Sequence, residues 1–257
     1  MTVAGVAGAR GAAFFDLDRT LVAGSSAYAF ARAAARAGVL SRRRLAQGAW
    51  ANLRFRLRGS TDEDTDALRT QVLGSLAGVR VTDARRLAPD VLVRLLPRVH
   101  PGVLALAYEH QDAGRPIYIC TAASQEVADL LAGVLCFDGG LGSRSEIADG
   151  HYTGRPDGPF IYREGKAQAI RELAAREGFD LGASYAYSDS ESDVPLLRAV
   201  GHPVAVNPDA SLARIARAQG WEVLPTDRLG RRLALGAAAA TAAAAAGAAT
   251  TFTRRAR

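Results

Sequence analysis

The run Ala12-Ala-Phe-Phe-Asp-Leu-Asp18 is apolar until it stops at two carboxylates, Asp16 and Asp18. A buried parallel strand ends this way on reaching the edge of its sheet, and that edge is where such sheets bind ligands. Lys166 stands out next. It is the one lysine among 32 basic residues. A chain that spends arginine wherever positive charge suffices has kept a single compact ammonium, which fits beside one oxyanion as a planar fork does not. Thr121 closes a second apolar run, Pro116-Ile-Tyr-Ile-Cys-Thr121, and Ser188-Asp189-Ser-Glu-Ser-Asp193 continues from a third, Ser184-Tyr-Ala-Tyr-Ser188. Each also has a plainer reading: Asp16 and Asp18 as loop caps, Asp189 and Asp193 as a helix cap and a first-turn acid, Thr121 as an ordinary strand end, Lys166 as surface charge.

The elements that must position these residues follow from periodicity. After Pro101 the pattern alternates: helix 102–113, strand 116–121, helix 124–134, a Gly-rich irregular stretch with hairpin strands to about 163, helix 165–177, strand 184–188, helix 191–199, strand 203–206, helix 209–219 and a last strand at 221–224. Repeated strand–helix units predict an α/β fold, a Rossmann-like doubly wound parallel sheet with helices on both faces. Residues 25–98 read differently, as about four helices started at Ser41, at the capping box Thr61-Asp-Glu-Asp64 and at Thr82-Asp. They are expected to form an inserted helical cap. The expected division is therefore a core of 1–24 and 99–228, a cap of 25–98 and an Ala/Arg-rich tail of 229–257. Gly5, Gly8 and Gly11 precede the first strand, so they are not a dinucleotide-binding turn and read as a mobile N-terminus.

Composition excludes several classes. At 257 residues, 49% hydrophobic and 23% charged, the chain has the balance of a globular protein able to bury a core. The net charge of +6 looks like a nucleic-acid signal until it is located. Residues 231–257 carry five arginines and no acid, which leaves 27 basic against 26 acidic residues for 1–230. The body is nearly neutral, and no nucleic-acid partner is expected. Cys120 and Cys136 make no CxxC pair and the four histidines are scattered, so neither a zinc site nor a disulfide is expected, with Cys120 a small buried side chain. No signal peptide is read at the start, and the expected location is cytoplasmic. Residues 233–252 lack any charge but are mostly alanine. Such a tract between Arg pairs is expected to give, at most, weak membrane association.

The order Asp16-x-Asp18-x-Thr20, Thr121, Lys166, Asp189-x-x-x-Asp193, with a helical insert after the first motif, resembles the haloacid dehalogenase superfamily over roughly residues 12–225, and within it subfamily IB, to which phosphoserine phosphatases belong. The resemblance implies a phosphatase that hydrolyses a phosphomonoester through an aspartyl-phosphate. Asp16 would be the nucleophile. Asp18, on the same side of an extended chain, would be the general acid and then the general base. Crowded carboxylates require a cation, and Mg²⁺ is implied, held by Asp16, the main-chain carbonyl of Asp18 and Asp189. Thr121 and Lys166 would bind phosphoryl oxygens. Asp193 would orient Lys166 or a metal-bound water, and Thr20 would satisfy local backbone groups. The partner is then a small-molecule phosphate ester. The alternatives are a phosphotransferase, or a regulatory or interaction protein that keeps the fold without hydrolysis.

Three departures bear on substrate. Phosphoserine phosphatases carry a glutamate for the substrate ammonium nine residues beyond the nucleophile, where this chain has Ser25. Thr121-Ala-Ala stands for their Ser-Gly-Gly, and Ser188 for the Gly before the fourth motif. Phosphoserine is therefore not the expected best substrate.

Overall fold

A computed structural model describes residues 10–39, 74 and 77–225. Six parallel strands form the central sheet: β1 (Ala13–Phe15), β2 (Ile117–Ser124), β3 (Gly139–Ser143), β6 (Tyr185–Ser188), β7 (His202–Val206) and β8 (Glu222–Leu224). Their order is β3-β2-β1-β6-β7-β8, and β1 pairs with both β2 and β6. The order reverses at β1, so the carboxyl end of that strand opens the crevice in which doubly wound sheets bind ligands. A separate antiparallel pair, β4 (Ser145–Ala148) and β5 (His151–Pro156), follows β3.

The alternation of β1 explains its burial on both sides. Ala13 and Phe15 face one core, with Val103 and Ala107 of α4 (Pro101–Asp112) and Val127 and Leu131 of α5 (Gln125–Val134). Ala12 and Phe14 face the other, against Ile170 and Leu173 of α6 (Glu164–Glu177), Leu196 and Leu197 of α7 (Val194–Arg198) and Leu212 of α8 (Ala210–Gln219). Between β1 and α4 the described α-helices are α1 (Ser26–Arg36), α2 (Val81–Arg85) and α3 (Ala88–Leu95). The two chain segments joining this insert to the sheet pair with each other. The Ala23 N–H donates to the Arg98 carbonyl at 2.8 Å and the His100 N–H to the Leu21 carbonyl at 2.9 Å.

Some sequence expectations are corrected. The Gly-rich stretch after α5 does yield the β4–β5 hairpin, but its first part is β3, an edge strand of the main sheet. The helix read over 191–199 opens as a 3₁₀ turn, Glu191–Asp193, before α7, whose second residue is Pro195. Thr82 lies inside the first turn of α2 and does not cap it. Gly11 is no part of a mobile terminus. It is buried, and a Cβ there would come within 2.0 Å of the Ala183 carbonyl oxygen. The helix starts at Ser41 and Thr61, the glycines Gly5 and Gly8, and the tract 233–252 lie outside the described residues. No helix among the described residues is long and apolar enough to cross a membrane. Cys120 is buried and Cys136 exposed, both as free thiols.

Candidate active site

Asp16 follows β1 directly, its N–H held by the Tyr187 carbonyl of β6 at 2.9 Å. The chain then doubles back: Val22 N–H donates to the Leu17 carbonyl and Arg19 N–H to the Val22 carbonyl. Arg19 takes a left-handed conformation, φ 65°, to make the turn. The reversal puts Asp16 and Asp18 at the mouth of the crevice, next to the start of α1. Ser26 N–H donates to Asp18 Oδ1 at 2.8 Å.

Lys166, in the first turn of α6, reaches the same point from the other side of the chain. Its Nζ donates to Asp16 Oδ1 at 2.6 Å and to Asp193 Oδ2 at 2.8 Å, and all three side chains are buried. Burial works to lower the Lys166 pKa, but Asp16 and Asp193 together outweigh it and hold the ammonium above the ordinary lysine range. Ser188 donates its hydroxyl to the same Asp193 oxygen at 2.6 Å, so the residue that replaces the expected Gly contributes a fourth polar group to the clamp. Thr121 is buried at its strand position, and its Oγ1 accepts from Ala123 N–H at 3.2 Å. Its hydroxyl proton is left to donate elsewhere. Thr20 departs from expectation: its buried hydroxyl has no hydrogen-bond partner among the described residues, so it satisfies no local backbone group.

The charges do not balance inside the protein. Asp16, Asp189 and Asp193 are buried, as is Lys166, so three buried carboxylates face one buried ammonium. Burial raises Asp16 to about 7, with Lys166 opposing and Asp193 and Asp189 adding to the rise. Burial also raises Asp189 to about 6, although Arg19 pulls it down, and raises Asp18 against the hydrogen-bonding groups of Ser26. Arg19 supplies the nearest compensation, its guanidinium 2.8 Å from Asp189 Oδ2 with its own side chain 51% exposed. Asp193 Oδ1 is buried without a partner among the described residues, and the Asp16 side chain is held by Lys166 through Oδ1.

Among the described residues no three His, Cys, Asp or Glu side chains gather as a metal-holding group. The set that the sequence points to is smaller: two carboxylates, Asp16 and Asp189, and the Asp18 carbonyl. These are hard oxygen donors in a pocket with excess negative charge, the chemistry that suits Mg²⁺, which binds through one or two carboxylates and keeps several waters. The unpartnered Asp193 oxygen suits a water in the shell of such an ion.

A cavity of about 340 Å³ opens beside Asp189, lined also by Arg19, Ala23, Gly24, His100, Asn207 and Asp209. Asp209 caps α8 through Ser211 and Leu212 and also accepts from Glu191 N–H at 3.1 Å, tying together the loops after β6 and β7. Sequence reasoning misses it, although Val206-Asn-Pro-Asp209 carries the same signal as Asp16, a carboxylate just beyond an apolar strand. Nothing in the sequence marks His100.

Comparison with known proteins bears on this arrangement. The model of the haloacid dehalogenase-like hydrolase family matches residues 13–198. A protein of Mycobacterium tuberculosis named phosphoserine phosphatase SerB1 is 39% identical over 238 residues, covering 88% of this chain and 77% of its own. A probable phosphatase of the same organism is also 39% identical, over 86% of this chain and 77% of its own. A solved structure from Bordetella pertussis, of a protein of unknown function, superposes with a TM-score of 0.75 at 32% identity, over 85% of this chain and 99% of that one. With a family model spanning most of its length and relatives near 40% identity, the chain belongs to the haloacid dehalogenase-like hydrolase family, as an enzyme of the phosphatase type.

Proposed function

We propose that the chain is a Mg²⁺-dependent phosphomonoester hydrolase of small phosphorylated metabolites, working through an aspartyl-phosphate on Asp16. The observation that carries the reading is the clamp on Asp16: Lys166 fixes one carboxylate oxygen at 2.6 Å, which leaves the other to act as the nucleophile. That oxygen attacks phosphorus as the bond to the leaving oxygen breaks. Asp18, which burial keeps toward its protonated form, gives its proton to the leaving oxygen. It then takes a proton from the incoming water, whose oxygen attacks phosphorus as the Asp16–phosphorus bond breaks. Phosphate leaves and both carboxyls return to their starting states. Thr121 and the remaining donor of Lys166 hold phosphoryl oxygens. Mg²⁺ would be held by Asp16, the Asp18 carbonyl and Asp189, and it supplies charge neutralisation for the transferred group. Residues 25–98 act as the cap over the leaving group, on a core of 1–24 and 99–228.

Phosphate release from p-nitrophenyl phosphate should require Mg²⁺, stop with chelator and return when the metal is restored. Hydrolysis that persists at full rate in chelator would overturn the metal reading, and no release across a wide panel of phosphomonoesters would overturn the hydrolase reading.

Substrate choice turns on Ser25. In place of a carboxylate that could pair with an ammonium, its hydroxyl caps α1, accepting from Tyr28 N–H at 3.4 Å. Although relatives are named for phosphoserine, this chain should prefer other small phosphate esters. Ser25→Glu should raise kcat/KM for phosphoserine relative to p-nitrophenyl phosphate by about tenfold, the scale of one added ion pair in a partly desolvated pocket. Its helix-cap loss costs about 1 kcal/mol. A panel led by phosphoserine in the unmodified enzyme would reverse this assignment.

A further inference from the structure

Arg19 is placed where a cation is needed and, among the described residues, held there by one partner. Its guanidinium lies 2.8 Å from Asp189 Oδ2, while the Asp189 side chain is 5% exposed and that of Arg19 is 51% exposed. The turn that presents it uses a left-handed backbone at a non-glycine residue, a conformation that costs about 1 kcal/mol. A buried carboxylate is thus neutralised by an arm that comes from solvent and can return to it. Arg19 and Asp189 both line the 340 Å³ cavity beside the site, so an arm that lets go of Asp189 has that cavity to move into.

We infer that Arg19 is a tethered counter-cation that neutralises Asp189 in the metal-free enzyme and yields that carboxylate when a divalent metal ion binds. The inference rests on the magnesium reading of the site. The exchange involves no bond chemistry. A guanidinium–carboxylate pair is given up, a metal–carboxylate contact replaces it, and the guanidinium is left beside the cavity. Both cations draw on the Asp189 carboxylate, so metal affinity is reduced by whatever the ion pair contributes to the metal-free state. A half-exposed arm on a buried acid sits at the upper end of the range for such pairs, which corresponds to a factor of roughly three to ten in affinity.

The test is calorimetric titration of the full chain with Mg²⁺ alone, without substrate, comparing wild type with Arg19→Ala and Arg19→Gln. Both variants keep the left-handed turn strained to the same degree, whereas glycine would relax it and confuse the comparison. The expected result is a three- to tenfold lower Kd in both variants, with the difference shrinking at high salt as the half-exposed pair is screened. Thermal melts provide the second readout. Chelator-treated Arg19→Ala should melt below chelator-treated wild type, while the Mg²⁺-saturated proteins should melt together. Equal Kd values would overturn the exchange and leave the metal site standing. A variant that melts lower in both states, with unchanged or weaker affinity, would make Arg19 a structural residue and also overturn it. Absence of Mg²⁺ binding in wild type would take down the metal reading and this inference with it.

Discussion

Asp16→Asn is expected to abolish turnover and covalent phosphoenzyme together, with kcat reduced by at least about 10⁴-fold, as for the loss of other enzymic nucleophiles. The substitution is nearly isosteric. Its amide oxygen can still accept from Lys166, and Lys166 keeps Asp193 at 2.8 Å, so the fold should survive with a melting temperature near that of wild type. An amide is a poor nucleophile, and no other carboxylate among the described residues stands at the end of β1 with a free oxygen beside the clamp. Asp18→Asn should behave differently. It removes proton transfer, worth about 10²- to 10⁴-fold, but an activated ester needs little help in leaving, so acid-quenched enzyme should still carry phosphate, which then departs slowly for lack of a base. Labelled-substrate quench experiments separate the two variants. Wild-type hydrolysis of p-nitrophenyl phosphate by Asp16→Asn would remove the covalent mechanism altogether.

The placement of these two carboxylates is legible in the sequence, because Ala12-Ala-Phe-Phe announces a buried strand and the residues directly after it must lie at the edge of the sheet. The same logic locates Asp189 directly after β6, but it closes β2 too early: Thr121, read as the end of its strand, lies within β2, which runs on to Ser124 past an irregularity in its pairing with β3. It fails at β3, where Gly139-Gly-Leu-Gly-Ser143 shows neither β-branched residues nor alternation. The reason is packing. A Cβ on Gly140 would sit 2.7 Å from the backbone of Ala128, so α5 rests directly on this strand and only a residue without a side chain permits the approach. The composition that hides the strand is the composition its neighbour demands. Individual partners are less legible than positions. Asp193 can be placed one turn from Asp189, but the hydroxyl of Ser188 bonding the Lys166-bound oxygen of Asp193 depends on where a 3₁₀ turn begins. The pairing of Arg19 with Asp189 joins residues far apart in the chain and leaves no local trace.

These contacts make Lys166 the residue on which the electrostatics of the site depend, and Lys166→Arg is accordingly the second large effect expected. The substitution keeps the charge, so a role limited to neutralisation predicts nearly normal kinetics. The geometry predicts otherwise. Nζ sits at 2.6 Å from Asp16 and 2.8 Å from Asp193 with the side chain 3% exposed, and a guanidinium is broader and longer than the space between two carboxylates at those distances. Accommodating it pushes Asp16 off the line of attack or turns the fork away from the phosphoryl oxygen. Loss of one such donor costs about 10²- to 10³-fold in kcat, and overpacking costs about 1–3 kcal/mol in stability. Lys166→Met removes the charge while keeping the length. It leaves Asp16 and Asp193 buried without their shared counterion, at a cost of about 3–5 kcal/mol. Melts in Mg²⁺ with steady-state rates on p-nitrophenyl phosphate distinguish the two effects: the arginine variant should be folded yet severely impaired, and the methionine variant both inactive and markedly less stable. A folded Lys166→Arg enzyme with kcat within a fewfold of wild type would mean that positive charge alone is required at this position, and that the lone lysine of the chain carries no geometric role.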